Sequence, residues 1–337
     1  MSATERDTWV ADPGLAWQIL LEADLDAPPE PDVLQQRLDE LNTRLGSPSV
    51  PLLTGTDVGA VREALAGGLD TALAAGLVGH CLIVAAHHHH VDGLGLLAVL
   101  TALTGQPASS GARGVGARPM AASAWGSRWR RLAEVAFAPP ARIVGTSHDP
   151  AASEDVFADL WLDRAIRPAE LVHAAAMAAV VFNGRHGART RRTTIAVGVS
   201  RTGGESADIA EHSALLRLRD LDGATRDEVR RRLREAPTEP QPVPRGSSPL
   251  VARATLLALR VLAPRLGSTL LVSHLGEVEA PDLTGLAFHP VTGGGSGVSI
   301  GAVGLAGRTR LTARARGARQ SPPAMAELLR DVRDALG

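Results

Sequence analysis

Residues 78–93 read VGHCLIVAAHHHHVDG, and the fold class is predicted from this stretch. Residues 78–86 form a short, continuous apolar run, which predicts a buried β-strand. Four histidines follow, then Asp92 and Gly93, and the pattern of residues 94–103 predicts a helix. A buried strand that passes through a polar turn into a helix indicates an α/β fold, with functional groups held rigidly at the strand end.

Strands and helices alternate loosely along the rest of the chain. Helices are predicted at 31–45, 58–73, 120–137, 168–183, 226–235, 250–262 and 322–336, and strands at 17–25, 155–163, 193–200, 214–218, 269–273, 296–303 and 308–314. This order lacks the regular repeat of a barrel or a doubly wound sheet. It predicts a mixed α/β protein with two lobes, residues 1–145 and residues 146–337.

The composition excludes several kinds of chemistry. The 337 residues include 35 basic side chains, all of them arginine, and there is no lysine and no tyrosine. Schiff-base catalysis, a phosphate-loop lysine and a tyrosine acid or base are therefore excluded. The net charge of −1 argues against a nucleic-acid partner. No apolar run approaches the ~20 residues of a membrane helix, and no secretory signal is visible, so we expect a cytoplasmic protein without membrane attachment.

The histidine run is the main candidate for a reactive site. In an extended run, His88 and His90 lie on one face and His87 and His89 on the other. Because histidine changes charge near neutral pH, a neutral imidazole here is suited to remove a proton from an amine or hydroxyl. Histidine runs also chelate divalent metals, but no carboxylate–histidine set elsewhere has metal-site spacing, so we expect no metal.

Asp92 and Gly93 complete the candidate site. Asp92 is close enough to orient a histidine or to brace the turn by pairing with an arginine. Gly93 permits a close approach that a side chain would block.

A family resemblance rests on this motif. His87-His88-x-x-x-Asp92-Gly93 matches the HHxxxDG signature of the condensation-domain superfamily, which includes condensation domains of nonribosomal peptide synthetases and relatives of chloramphenicol acetyltransferase. Only the His87-His88 pair leaves three residues before Asp92, so the register is fixed. Three further stretches resemble family segments in the same order along the chain: LNTRL at 41–45, AVGVSR at 196–201 and LVSHLG at 271–276.

The resemblance implies two acetyltransferase-like lobes in a V shape, with a tunnel and the active site between them. A thioester donor and an acceptor would meet at His88, which would act as general base or positioner, with His87 in support. The resemblance also implies that Asp92 points away from the substrate and forms a structural salt bridge. Arg44 is the first candidate partner for Asp92 and Arg201 the second.

Substrate contacts are assigned more loosely. Ser273 and backbone amides near Gly93 are candidates to stabilise the tetrahedral stage of acyl transfer. His274 stands where the family commonly has asparagine, and we count it with Ser273 as a candidate substrate-binding residue.

The sequence thus predicts a free-standing condensation-type acyltransferase of natural-product biosynthesis. It would form an amide or ester from a phosphopantetheine thioester on a carrier protein, or from acyl-CoA, and a small amine or alcohol, with no bound cofactor. Two alternatives stay open. One is a cyclase or isomerising enzyme that uses His88 as base on the same fold, and the other is a non-catalytic condensation-like partner protein.

Overall fold

A computed structural model describes residues 17–68, 70–116, 118, 139–149, 151–239, 267–292 and 296–337. Within these ranges the strands are β1 Gln18–Leu25, β2 Leu53–Thr54, β3 Leu73–Val78, β4 Cys81–His87, β5 Ser109–Ser110, β6 Asp155–Leu162, β7 Ile195–Ser200, β8 Ser213–Leu218, β9 Leu270–Glu279, β10 Leu283–His289, β11 Val298–Leu305 and β12 Arg308–Arg316. The helices are α1 Pro31–Arg44, α2 Val58–Ala66, α3 Gly93–Thr104, α4 Pro168–Arg185, α5 Arg226–Glu235 and α6 Pro322–Leu336. None of the described helices is long and apolar enough to cross a membrane.

The first sheet has the strand order β10-β1-β4-β3-β2. Its inner strand β1 (QILLEADL), between β10 and β4, is almost wholly buried, because both faces of the sheet are covered. Helices α1 and α3 pack on one face through leucines such as Leu34, Leu38, Leu96 and Leu100. Helix α2 packs on the other face, where Phe157 of β6 also reaches the core.

The second sheet has the order β6-β12-β11-β9-β7-β8, and the short strand β5 pairs with β9. Helices α4 and α6 cover one face of this sheet, and the alanine-rich sequence of α4 lets them pack closely. Each sheet includes one strand from the other half of the chain, β10 in the first sheet and β5 in the second. Strand β5 lies before residue 146 but pairs in the second sheet, and β10 lies after it but pairs in the first. The division into residues 1–145 and 146–337 therefore stays a prediction.

Several predicted elements are confirmed, among them the helices at 226–235 and 322–336 and the strands at 296–303 and 308–314, which pair with each other as β11 and β12. The single strand at 78–86 is wrong: a hairpin turn at Gly79, whose φ is 56°, separates β3 from β4. The helix at 58–73 is too long, because α2 ends at Ala66 before two glycines. Strand β10 was not predicted, and the helices at 120–137 and 250–262 lie outside the described residues.

A buried polar seam joins the two sheets at β1. Arg314 of β12 is fully buried; its Nε donates to Asp155 Oδ2 at 2.6 Å and its Nη1 to the carbonyl of Gln18 at 2.6 Å. Nearby on β1, Glu22 lies 3.1 Å from Arg62 and 2.8 Å from His289. Burial opposes ionisation of Glu22, but His289 and Arg62 lower the pKa of its carboxyl to about 2. The seam therefore holds ionised groups out of water between the sheets.

Arg314→Ala should lower the free energy of unfolding by about 3 kcal/mol, because it leaves the buried Asp155 without its closest cation. Urea unfolding measures this loss. Arg308→Ala on the same strand is the matched control: its side chain is half-exposed and pairs with the exposed Asp163, so its loss should stay below about 1 kcal/mol. Equal losses for the two variants would contradict the assignment of Arg314 to the seam.

Candidate functional site

The histidine run begins at His87, the last residue of β4, and continues as a turn over residues 88–90. The His88 amide donates to the Trp17 carbonyl at 2.8 Å, just beyond the pairing of β4 with β1. The His90 amide then donates back to the His87 carbonyl at 2.8 Å and closes the turn. The expectation that these histidines alternate between two faces is therefore wrong, because an extended chain cannot make this bond.

His88 has a defined proton arrangement. Its Nδ1 lies 3.1 Å from the carbonyl oxygen of Val91, and the side chain is half-buried. A carbonyl only accepts hydrogen bonds, so Nδ1 carries the hydrogen and donates. In the neutral ring, Nε2 is then left with a lone pair. His88 is thus prepared to accept a proton at Nε2.

Asp92 is the N-cap of α3 and is 2% exposed. Its Oδ1 accepts the Gly95 amide at 2.7 Å, and its Oδ2 accepts the hydroxyl of Ser200 at 2.8 Å. Gly95 belongs to α3, which packs on the first sheet, whereas Ser200 ends β7 of the second. The positive end of the α3 dipole also favours a carboxylate at this place. Asp92 therefore joins the motif to the second sheet.

The predicted salt bridge of Asp92 is not present among the described residues. Arg44 is exposed at the end of α1, and Arg201 uses its backbone on His212 and Gly116. Asp92 pairs with neither arginine; its two oxygens accept a backbone amide and a hydroxyl instead. The bracing role expected of Asp92 is met by neutral donors.

Gly93 is required by packing. A Cβ at this position would lie 2.8 Å from Leu275 Cδ2 and 3.0 Å from Phe288 Cζ. Leu275 belongs to β9 and Phe288 to β10. Because Gly93 has no side chain, the start of α3 can pack closely against both strands. The close approach predicted for Gly93 is therefore between structural elements.

His274 has a structural role rather than the predicted substrate contact. Its Nδ1 accepts the Gly276 amide at 2.8 Å, and its Nε2 therefore donates to the Ile166 carbonyl at 3.1 Å. Burial lowers the pKa of the ring to about 4, so it is neutral at physiological pH. Both nitrogens are committed to backbone groups, which leaves none for a ligand.

Ser273 lies on the opposite face of β9 from His274. Its neighbours across the sheet are Gly198 on β7 and Gly301 on β11. Gly198 shares a strand face with Ser200, two residues further along β7, so Ser273 is on the face that contacts the motif. Its role as a hydrogen-bond donor to substrate stays a prediction.

His87 is a neutral neighbour of His88. Burial, reinforced by repulsion from His90, His89 and His88, lowers the pKa of its ring to about 4. Its Nδ1 accepts the His89 amide at 3.3 Å, so it supports the turn. Among the described residues, no group of three or more His, Cys, Asp or Glu side chains has the arrangement of a metal site.

Comparison with solved structures decides the fold. The chain matches a starter condensation domain of rhizomide synthetase, solved with C8-CoA, at TM-score 0.58 and 16% identity over 99% of this chain and 93% of that one. It matches the first condensation domain of the calcium-dependent antibiotic synthetase, solved with a substrate analogue, at TM-score 0.57 and 15% identity over 99% and 93%. The chain has the condensation-domain fold.

An epimerization domain of tyrocidine synthetase shares this fold, at TM-score 0.51 and 12% identity over 98% of this chain and 92% of that one. No protein-family model and no curated protein matches the sequence. The predicted α/β class and the likeness to condensation domains are thus confirmed at the level of fold. The V shape and the tunnel stay predictions.

Within the condensation fold, the motif contains contacts that the sequence analysis missed. Ser200 and the Ala210 carbonyl, which accepts the Asp92 amide at 3.1 Å, both come from the second half of the chain. Another histidine, His212, lies 2.8 Å from Asp208 on the segment that includes Ala210. A spacing of four indicates a side-chain pair only on a helix, and residues 207–212 are not helical, so nothing local in the sequence points to this pair or to Ser200.

Stability should fall as the pH is lowered from about 6.5 to 4, in part through His274. In this window the unfolded chain protonates the ring and the folded chain does not, so the unfolded state binds more protons. The full contribution of a shift of this size is on the order of 3 kcal/mol. Urea unfolding of His274→Gln at several pH values should show a weaker pH dependence than wild type. Identical slopes would show that His274 is accessible to protons in the folded state.

Proposed function

We propose that the chain is a condensation-type acyltransferase with His88 as general base. The observation that carries this proposal is the Nδ1 bond of His88 to the Val91 carbonyl, which leaves Nε2 as the proton acceptor. The shared fold supports it, because one structure with this fold was solved with an acyl thioester of coenzyme A. The intact HHxxxDG motif disfavours a non-catalytic partner protein.

The step balances without a cofactor. An amine or hydroxyl nucleophile attacks the thioester carbonyl while its proton passes to His88 Nε2, and a tetrahedral oxyanion forms. The C–S bond then breaks, an amide or ester is left, and the proton leaves His88 with the thiol of phosphopantetheine or coenzyme A. The Gly95 amide already donates to Asp92. The proposed donors to the oxyanion are therefore Ser273 and the backbone amides nearest Gly93.

The proposed donor is an acyl group on a carrier protein or on coenzyme A, and the proposed acceptor is a small amine or alcohol in a natural-product pathway of the cytoplasm. A second candidate is an isomerising or cyclising reaction with His88 as base. It is favoured by one observation, the same fold in an epimerization domain. The two candidates differ in whether a thiol leaves.

Intact-protein mass spectrometry distinguishes them. Acyl-loaded carrier proteins and acyl-CoA species are incubated with wild type and with amines and alcohols, and loss of the acyl group together with product formation is measured. His88→Ala should lower the rate of transfer by about 100-fold or more, because it removes the general base.

His89→Ala is the matched control in the same turn. It should retain transfer, because His89 does not have the HHxxxDG spacing to Asp92. Equal transfer by wild type and His88→Ala would remove His88 from the reaction. A product of unchanged mass, with the thioester intact but the substrate isomerised, would favour the second candidate.

A further inference from the structure

The peptide unit between Val91 and Asp92 is held on both sides. Its carbonyl accepts the hydrogen bond of His88 Nδ1 at 3.1 Å, and its amide donates to the Ala210 carbonyl at 3.1 Å. A peptide unit is planar, so fixing the direction of its N–H fixes the direction of its C=O. The acceptor that His88 uses is therefore oriented by a contact from the segment before β8.

Ser200 holds the same peptide unit through the side chain of Asp92. Its hydroxyl donates to Asp92 Oδ2 at 2.8 Å, while Oδ1 remains on the Gly95 amide. The Ser200 oxygen also accepts the Thr202 amide at 3.3 Å, which orients the hydroxyl. Asp92 is thus fixed by α3 and by the second sheet, and its backbone cannot rotate without breaking one of these bonds.

The packing around this junction leaves little freedom. A Cβ on Gly95 would lie 3.0 Å from the Asp208 carbonyl and 3.1 Å from the Ala210 carbonyl. The first turn of α3 therefore touches the backbone that accepts the Asp92 amide. The Ser200 hydroxyl is the side-chain donor that the second sheet supplies to this contact.

We infer that Ser200 is a positioning residue for His88. It acts through Asp92 and the Val91–Asp92 peptide unit, and it keeps the hydrogen of the ring on Nδ1. Without its hydroxyl, the buried carboxylate loses its bond to the second sheet, and the Val91 carbonyl loses its fixed direction. The ring then samples the other tautomer, in which Nε2 carries the hydrogen and does not accept a proton. The consequence for catalysis rests on the proposed function of His88.

Ser213 provides a matched control on the adjacent strand. It is the direct cross-strand partner of Ser200, but its hydroxyl bonds to Glu211 and not to the motif. Ser200→Ala and Ser213→Ala each remove one hydroxyl from the same hairpin. A general loss of hairpin stability affects both variants, whereas a loss of His88 positioning affects only the first.

The test combines nuclear magnetic resonance of ¹⁵N-histidine-labelled protein with steady-state kinetics. Long-range ¹H–¹⁵N spectra, with the His88 signals assigned from their loss in His88→Ala, report which ring nitrogen carries the hydrogen. Wild type, Ser213→Ala and the rescue variant Ser200→Thr should show a single Nδ1–H tautomer. Ser200→Ala should show a mixture, with kcat roughly tenfold lower and the KM of the thioester within about twofold of wild type. If Ser200→Ala does not fold, Ser200→Cys replaces it as a weaker donor of similar size and should show a smaller shift in the same direction.

A wild-type tautomer in Ser200→Ala would overturn the inference, and so would equal effects of Ser200→Ala and Ser213→Ala. The spectra do not depend on activity. If wild type transfers no acyl group, the proposed function fails while the spectra still decide the role of Ser200. If transfer occurs and the tautomer is insensitive to Ser200, only the positioning role fails.

Discussion

The buried carboxylate of Asp92 is the constraint on which the site depends. An ionised carboxylate removed from water costs several kcal/mol unless hydrogen bonds satisfy it. Here it has no arginine partner among the described residues, and its donors are the Gly95 amide at 2.7 Å and the Ser200 hydroxyl at 2.8 Å. One donor belongs to α3 and the other to β7 of the second sheet. The motif therefore keeps its conformation only while the two sheets are docked, because Asp92 needs both donors.

A second contact of different chemistry joins the sheets at the seam. Arg314 bonds to Asp155 within the second sheet and to the Gln18 carbonyl of β1, and exchange of β5 and β10 adds backbone pairing between the two halves. His88 follows β4, the strand next to β1, so its position depends on both contacts.

The fold itself does not choose a reaction, because condensation and epimerization domains share it. The tautomer of His88 fits a general base in either candidate reaction, so it does not choose between them.

The local features of the site could be predicted from the sequence, and the long-range ones could not. The end of β4, the motif and helix α3 could be predicted from one short stretch of sequence. Its apolar run, its N-cap and its helical pattern are all local signals. The turn of residues 87–90 was missed because four identical residues give no periodicity. The β3–β4 hairpin was missed because Gly79 is a single turn residue inside an apolar run. Ser200 lies 108 residues from Asp92, and a serine at a strand end has no pattern that distinguishes it from other serines.

A double-mutant cycle between Asp92 and Ser200 tests most directly whether the motif is clamped between the sheets. The free energies of unfolding of wild type, Asp92→Ala, Ser200→Ala and the double variant would be measured by urea denaturation at neutral pH. A hydrogen bond to a buried carboxylate predicts a coupling energy of about 1.5–3 kcal/mol between the two positions. Effects that add to within about 0.5 kcal/mol would contradict the account, because they would show that Asp92 and Ser200 do not stabilise each other.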